Sequence, residues 1–283
     1  MRCCLLSFLL PLVLHFAQPS HSVDQYTDES HKASECNNND ISSRNNFCEK
    51  TMSGSISDSP HKPDGASFSL AVVPYDDNAV LPMYKPLVEY TFVNHKFKIK
   101  QNWAAGGVAA VVWDAAVTLC EYLENHPDLV KSKTVLEIGG GTGIVGMVSA
   151  LLGADVTVTD REEALTYIHS SVSDNFVDQS KVQISVEELD WTKDYRNKFS
   201  GQFDLILGAD VIYIEDLFPD LLRTLSQISN VDTVILLSCR IRYKRDTNFL
   251  DMMRDIFSVE EILYDSERDV KIFKAVKKIT RDL

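Results

Sequence analysis

The chain has 283 residues, of which 45% are hydrophobic and 24% are charged, an ordinary composition for a globular protein. Its 28 Lys and Arg residues stand against 41 Asp and Glu residues, a formal net charge of −13. This balance argues against a protein that binds nucleic acid, because phosphate neutralisation needs clustered cations. Only one apolar run, near the N-terminus, approaches membrane length, so a multispan transporter is excluded and no integral span is expected in the mature domain.

The first 69 residues differ in character from the rest. Residues 1–22 place Arg2 before an apolar run, and Ser20 and Ser22 suit a cleavage site, which is typical of a secretory signal peptide. The alternative is a fortuitous apolar leader or a seldom-used upstream exon. Residues 23–69 are rich in Ser, Asn and Asp and poor in branched apolar residues, which predicts a disordered linker. Residues 70–283 are left as the folded domain.

The six cysteines predict neither a disulfide scaffold nor a metal site. They are few for a chain of this length, no CxxC occurs, and the histidines lie apart from them. Cys120 and Cys239 lie in apolar stretches, where a buried and inert thiol is expected.

Regular periodicity then predicts a β-hairpin followed by alternating strands and helices. Residues 88–93 and 96–101 alternate around an Asn94–His95 turn, and a helix is predicted over Val111–Leu123. Short apolar strands follow at 134–138, 155–159, 182–186, 203–207 and 233–238, with helices at 144–152, 162–177, 217–228 and 247–256. Two final strands, at 260–265 and 270–275, are separated by a turn and suggest an antiparallel edge. The pattern predicts a doubly wound α/β sheet.

The clearest chemical motif is the segment TVLEIGGGTGIVG, residues 134–146. Gly139, Gly140, Gly141 and Gly143 lie between a strand and a helix, where a sharp turn brings the backbone close to a ligand. Asp160 ends the next strand, in position to accept hydrogen bonds from ribose hydroxyls. A plain tight turn is the alternative, and so many glycines before a strand-ending acid make it the weaker interpretation.

Two cofactors suit this loop. Residues 141–146 satisfy the dinucleotide pattern G-x-G-x-x-G, so a nicotinamide-dependent oxidoreductase is one hypothesis. Glu137 precedes the glycines, and an acidic strand end repels a pyrophosphate but suits a cationic amino-acid cofactor. We therefore expect S-adenosylmethionine, with Glu137 among its contacts.

A second motif, FDLILGADVIY, supports this expectation. Asp210 and Tyr213 follow a strand and are three residues apart, so they are expected to face the same cleft. Alone, the pair is better explained by a helix cap at Asp210 and a packed Tyr213 ring, but together with the glycine loop on the neighbouring strand the functional interpretation is favoured. Trp191 ends a strand unit where an indole can stack on adenine, and Trp113 lies on a predicted helix; for each, a place in the core is the alternative.

These motifs together resemble the methyltransferase-21 branch of the seven-β-strand protein-lysine methyltransferases, in methyltransferase family 16. The similarity runs from about residue 71 to residue 283 through VVWDAA, VLEIGGGTGIVG, VTVTDR, ELDW, FDLILGADVIY and LLSCRIRYKRD. Within that branch it is nearest to the member that methylates heat-shock chaperones of the seventy-kilodalton class.

The resemblance implies a Rossmann-like class I fold whose last strand is antiparallel. By motif position it places the cofactor contacts at Trp113, Gly139, Gly140, Gly141, Asp160, Trp191 and Ala209. Its D-x-x-Y signature falls on Asp210 and Tyr213, the expected catalytic pair. It implies a chaperone as protein substrate, a monomer and a cytoplasmic location, although the leader leaves the secretory pathway as the alternative.

Three functions remain open at this stage. They are a protein-lysine methyltransferase, a nicotinamide oxidoreductase, and a catalytically silent fold that binds a chaperone. The cations Arg240, Arg242, Lys244 and Arg245 follow the fifth strand of the α/β unit and form either a solvated loop or a docking site for an acidic protein surface.

Overall fold

The computed structural model describes residues 80–199 and 202–279. The predicted signal peptide at 1–22 and linker at 23–69 lie outside the described residues. Within the described part of the chain, no single helix is long and apolar enough to span a membrane, although the bent pair of helices at 103–110 and 114–125 meets that test by length and composition.

The predicted hairpin forms a separate two-stranded sheet. Strands β1 (Leu87–Phe92) and β2 (His95–Lys100) pair in antiparallel fashion. The turn is Val93–Asn94, one residue earlier than predicted, and both residues have positive φ angles, of 53° and 55°. This geometry matches the twist of a two-residue hairpin.

A seven-stranded sheet forms the centre of the domain, as predicted. Its strands are β3 (Thr134–Ile138), β4 (Asp155–Asp160), β5 (Gln183–Glu188), β6 (Leu205–Ala209), β7 (Val234–Cys239), β8 (Phe257–Asp265) and β9 (Val270–Lys277). The spatial order is β5-β4-β3-β6-β7-β9-β8. Strands β3 to β7 pair in parallel, and β9 lies antiparallel between β7 and β8. The final strand is therefore internal, and β5 and β8 are the two edges of the sheet.

Helices cover both faces of this sheet. In chain order, the helices of the described residues are α1 (Trp103–Gly106), α2 (Asp114–Asn125), α3 (Ile144–Leu151), α4 (Glu162–Asn175), α5 (Arg196–Phe199), α6 (Phe218–Ile228) and α7 (Lys244–Ile256). Helices α2, α3 and α4 pack on one face of the sheet, and α6 and α7 pack on the other. Short 3₁₀ turns lie at Pro82–Tyr84, Gly107–Ala110, Pro127–Leu129, Gln179–Lys181 and Glu215–Leu217. One core contains Val135 with residues of α2, α3 and α4. The other contains Leu136 with residues of α6 and α7. Alternate side chains of β3 thus face opposite layers.

Two predicted helix starts were wrong. Helix α2 begins at Asp114 rather than Val111, because Trp113 is extended (φ −92°, ψ 152°) and its indole N–H donates to Val108 O (2.9 Å). Helix α7 begins at Lys244 rather than Thr247, because Asp246 accepts the N–H of Tyr243 (2.9 Å) and so caps an earlier turn.

Candidate active site

The Gly-rich turn lies at the carboxyl end of β3, between that strand and α3. Gly139 and Gly141 have positive φ angles of 60° and 57°, which glycine adopts readily because it has no Cβ. The Gly140 N–H donates to Thr159 O (2.9 Å), so the turn is fixed to β4. A Cβ on Gly141 would lie 3.1 Å from Ala109 O. The segment that contains Ala109 therefore packs directly against the turn.

Two backbone N–H groups of the Gly-rich turn and of α3 donate hydrogen bonds to carboxyl groups of this chain. The Gly141 N–H donates to Asp160 Oδ2 (2.9 Å), and the Gly146 N–H donates to Glu137 Oε2 (2.8 Å). In a dinucleotide fold, backbone N–H groups at this place bind the pyrophosphate. In this chain the Gly141 and Gly146 N–H groups are bonded to acidic side chains instead, so they are not available to a pyrophosphate. The turn therefore suits a nucleoside without phosphate groups.

Glu137 holds a different place from the one expected. It shares a face of β3 with Val135, is only 2% exposed, and its carboxyl group lies beneath the turn. A Cβ on Gly146 would lie 2.7 Å from Glu137 Oε2, and one on Gly140 would lie 3.4 Å from Cδ, so backbone covers it. Burial raises the pKa of Glu137 to about 8, against the Gly146 hydrogen bond that lowers it. Glu137 therefore supports the turn from beneath, through its hydrogen bond to the Gly146 N–H.

Asp160 ends β4, half-buried beside the turn. Its Oδ2 accepts the Gly141 N–H, and its Oδ1 accepts the Arg161 N–H (2.7 Å). Burial raises the pKa of Asp160, and these two hydrogen bonds partly offset the rise. A carboxylate has about four acceptor positions, so the two hydrogen bonds leave acceptor capacity for ribose hydroxyls.

Asp210 and Tyr213 follow β6, the strand next to β3. Asp210 has a φ angle of 52°, and its N–H donates to Ser238 O of β7 (2.8 Å). Burial raises the pKa of Tyr213 to about 12, and the charges of Asp160 and Asp210 add to this rise. Both carboxylates therefore lie within electrostatic reach of one phenol, which stays protonated at neutral pH.

Arg242 lies against Asp210. Its Nη1 donates to Asp210 Oδ1 and its Nη2 donates to Asp210 Oδ2, both at 3.3 Å. The Arg242 backbone N–H donates to Asp246 Oδ2 (2.7 Å), and Asp246 is 2% exposed. The sequence offered a solvated loop or a docking site for this segment, and did not reveal that one of its cations pairs with the expected catalytic acid.

The remaining predicted contacts lie around the turn. Trp191 Cζ2 would be 3.4 Å from a Cβ on Gly139, and the ring is half-buried. Ala209 is the half-buried last residue of β6. Trp113 lies before α2, where its indole binds Val108 O next to the segment that packs against the turn.

Gln101 was not singled out from the sequence, although its side chain joins the segment before β1 to the segment before α2. It is 7% exposed. Its side-chain Nε2 donates to Pro82 O (2.8 Å) and Lys85 O (3.0 Å), and its Oε1 accepts the Val112 N–H (2.8 Å). All three partners are backbone groups, which carry no sequence signal of their own.

These features fit S-adenosylmethionine. A Cβ-free turn, an acid at the end of β4 and a half-buried indole beside Gly139 can hold a nucleoside, and the Asp210–Tyr213 pair lies on the next strand. Among residues 80–199 and 202–279, no group of three or more His, Cys, Asp or Glu side chains could hold a metal ion.

Comparison with known proteins identifies the family. A model of the family described as lysine methyltransferase matches residues 91–256. The protein N-lysine methyltransferase METTL21A of Danio rerio is 50% identical over 212 residues, which are 74% of this chain and 97% of that protein. The EEF1A lysine methyltransferase 3 of Xenopus tropicalis is 37% identical over 191 residues, 66% of this chain and 84% of that protein.

Among solved structures, the T. thermophilus 16S rRNA N2 G1207 methyltransferase RsmC, in complex with AdoMet and guanosine, is similar in fold alone. It has a TM-score of 0.50 and 17% identity, over 68% of this chain and 50% of that chain. The predicted class I fold and the S-adenosylmethionine cofactor are confirmed, and the family match excludes the nicotinamide alternative. The chain belongs to the lysine methyltransferase family and is a protein N-lysine methyltransferase.

Proposed function

We propose that this enzyme methylates a lysine of a heat-shock chaperone of the seventy-kilodalton class and that it acts as a monomer in the cytosol. The ordered set of motifs from VVWDAA to LLSCRIRYKRD carries this proposal. Elongation factor 1A is the second candidate substrate, because a relative that is 37% identical is named an EEF1A lysine methyltransferase. The same site chemistry, methyl transfer to a lysine amine, serves either candidate.

The cofactor is proposed to contact seven residues around the Gly-rich turn. In this proposal Asp160 accepts hydrogen bonds from the ribose hydroxyls, and Trp191 stacks on the adenine. Glu137 supports the turn from beneath. The proposed contacts are Trp113, Gly139, Gly140, Gly141, Asp160, Trp191 and Ala209.

The acceptor lysine is proposed to enter beside Asp210 and Tyr213. S-adenosylmethionine, when bound, supplies a methyl group activated by a positively charged sulfur. An ammonium has no lone pair and an unperturbed lysine pKa is about 10.4, so the amine must first lose a proton. Transfer of the amine from water into the cleft disfavours its charged form and so favours the neutral amine. Asp210 accepts an N–H of that amine and aligns its lone pair, which supplies most of the catalysis through orientation.

Intact-mass analysis of purified acceptors tests the substrate. The chaperone and elongation factor 1A are each incubated with S-adenosylmethionine and the wild-type enzyme, and we expect mass gains in methyl steps on the chaperone. A gain on elongation factor 1A and none on any seventy-kilodalton chaperone would refute the proposed substrate.

The role of Asp210 is tested with one variant and a matched control. Asp210→Ala should keep cofactor affinity and lose most turnover, because this side chain faces the acceptor in the proposed site. Asp216→Ala removes an exposed carboxylate from the neighbouring 3₁₀ turn and should behave as the wild type. If Asp210→Ala instead lost only cofactor affinity, Asp210 would face the cofactor and not the acceptor lysine, and the proposed role would be refuted.

A further inference from the structure

The ion pair between Arg242 and Asp210 is an unexplained part of the site. Two parallel N–H···O contacts of 3.3 Å join the guanidinium to the carboxylate. The side chains are 28% and 13% exposed, respectively, so the pair lies at the rim of the cleft and is only partly screened by water. Each Asp210 oxygen keeps acceptor capacity beyond its contact with Arg242.

The two residues are fixed by separate backbone contacts. Arg242 is held through its N–H by Asp246 Oδ2 (2.7 Å), at the first turn of α7. Asp210 is held through its N–H by Ser238 O (2.8 Å), on β7. The pair thus belongs to the scaffold at the adjoining ends of β6 and β7, and its geometry does not depend on the acceptor.

Methyl transfer makes conflicting demands on a carboxylate at this position. An acceptor oxygen is needed to orient the amine, but an uncompensated negative charge stabilises the ammonium form, which has no lone pair. A fixed cation on the same carboxylate resolves the conflict, because it cancels the charge and leaves the acceptor positions in place.

We propose that Arg242 compensates the charge of Asp210, so that this carboxylate orients the acceptor lysine as a neutral amine instead of trapping it as an ammonium ion. Arg242 is thus a positioning residue that acts through Asp210. The inference rests on the proposed function, in which Asp210 faces the acceptor.

Other titratable or charged groups surround the pair and remain the same when only Arg242 is changed. Those on the side of β7, α7 and β9 are Cys239, Asp246 and Lys271. Those on the side of β4 and the loop after β6 are Asp160, Arg161 and Tyr213. A shift in the pH profile can therefore be assigned to the missing guanidinium.

The first test is the pH profile of kcat, which reports ionisations within the enzyme–substrate complex. It is measured for Arg242→Met, whose side chain is unbranched and uncharged. We expect the acid limb to move up by about one pH unit, so that the rate falls about tenfold near neutral pH and recovers in alkaline solution. Arg242→Lys should return the limb toward its wild-type position. Affinity for S-adenosylhomocysteine, measured by calorimetry, should stay at the wild-type value in both variants. An equal loss at every pH would overturn the inference, because it would indicate a merely structural role.

The second test needs no protein acceptor. n-Butylamine, which carries a positive charge at neutral pH, is titrated by NMR against the enzyme with S-adenosylhomocysteine. It should bind Arg242→Met about tenfold more tightly than wild type, whereas neutral n-butanol should bind both equally. Equal binding of the amine would overturn the inference.

The two proposals fail separately. If the wild-type enzyme labels only elongation factor 1A, the chaperone proposal fails and the pH profile is measured on that acceptor. If it labels neither, the chaperone proposal also fails, and the amine titration decides the role of Arg242.

Discussion

Replacing Glu137 with Gln should remove most of the pH dependence that this carboxyl group gives to the stability of the fold. Burial raises the pKa of Glu137 from 4.5 to about 8, so between these values the folded protein keeps a proton that the unfolded chain releases. The free energy of unfolding therefore falls as the pH rises through this window. The stabilising contribution is complete below about pH 4.5 and is lost above about pH 8.

The size of the effect follows from the width of the window. Each pH unit corresponds to about 1.4 kcal/mol for one proton, so the loss between 4.5 and about 8 is on the order of 5 kcal/mol. Because Glu137 is only 2% exposed, water screens its charge very little, and the full width of the window is used. In the wild-type protein the Gly146 N–H donates to Glu137 Oε2 (2.8 Å). Gln does not titrate, and its carbonyl oxygen can still accept this hydrogen bond.

Urea denaturation from about pH 5 to about pH 8 measures the difference as a slope. The slope is used because the new amide group also changes the absolute stability. Glu187→Gln is the matched control, since Glu187 lies on a strand of the same sheet with its side chain 44% exposed and paired to Lys198 (2.6 Å). The control should keep the wild-type slope. If Glu137→Gln also kept it, the proposed linkage between burial and proton binding would be refuted.

Four further predictions concern the site, the Gln101 hydrogen bonds and the leader. Asp160→Ala should weaken S-adenosylmethionine binding by about 1–3 kcal/mol, because the Gly141 N–H loses its partner. Calorimetry compares it with Asp155→Ala, at the exposed start of the same strand, and equal affinities of the two variants would place the pocket elsewhere. Gly141→Val should weaken binding more, since a φ angle of 57° disfavours any side chain; near-normal affinity would contradict this. Gln101→Leu should lower the free energy of unfolding by about 1–3 kcal/mol, because three backbone groups lose a partner; an unchanged urea midpoint would count against it. The protein tagged at its C-terminus should be cytosolic with residues 1–22 retained, and quantitative cleavage near Ser22 with all of the protein in the lumen or medium would overturn the proposed location.

Local sequence patterns determined most of the fold. A strand that runs into Gly139 and a helix that follows Gly143 are set by residue spacing and turn chemistry, so the Gly-rich turn was located correctly. Alternating strands and helices likewise predicted the parallel sheet, and the final turn predicted the antiparallel pair. Helix starts were predicted less well. The start of α2 depends on the contact of the Trp113 indole with Val108 O, a geometry that periodicity does not encode.

Only the tertiary structure decided the environment of the charged groups. The sequence placed Glu137 beside the glycines, but its burial beneath α3 and its raised pKa arise from how the turn folds back over β3. Asp210 and Arg242 are 32 residues apart in the chain, and they meet because β6 and β7 are parallel neighbours whose ends adjoin. The energy of a charge is set by the groups and the water around it, and these become fixed only when distant segments pack together.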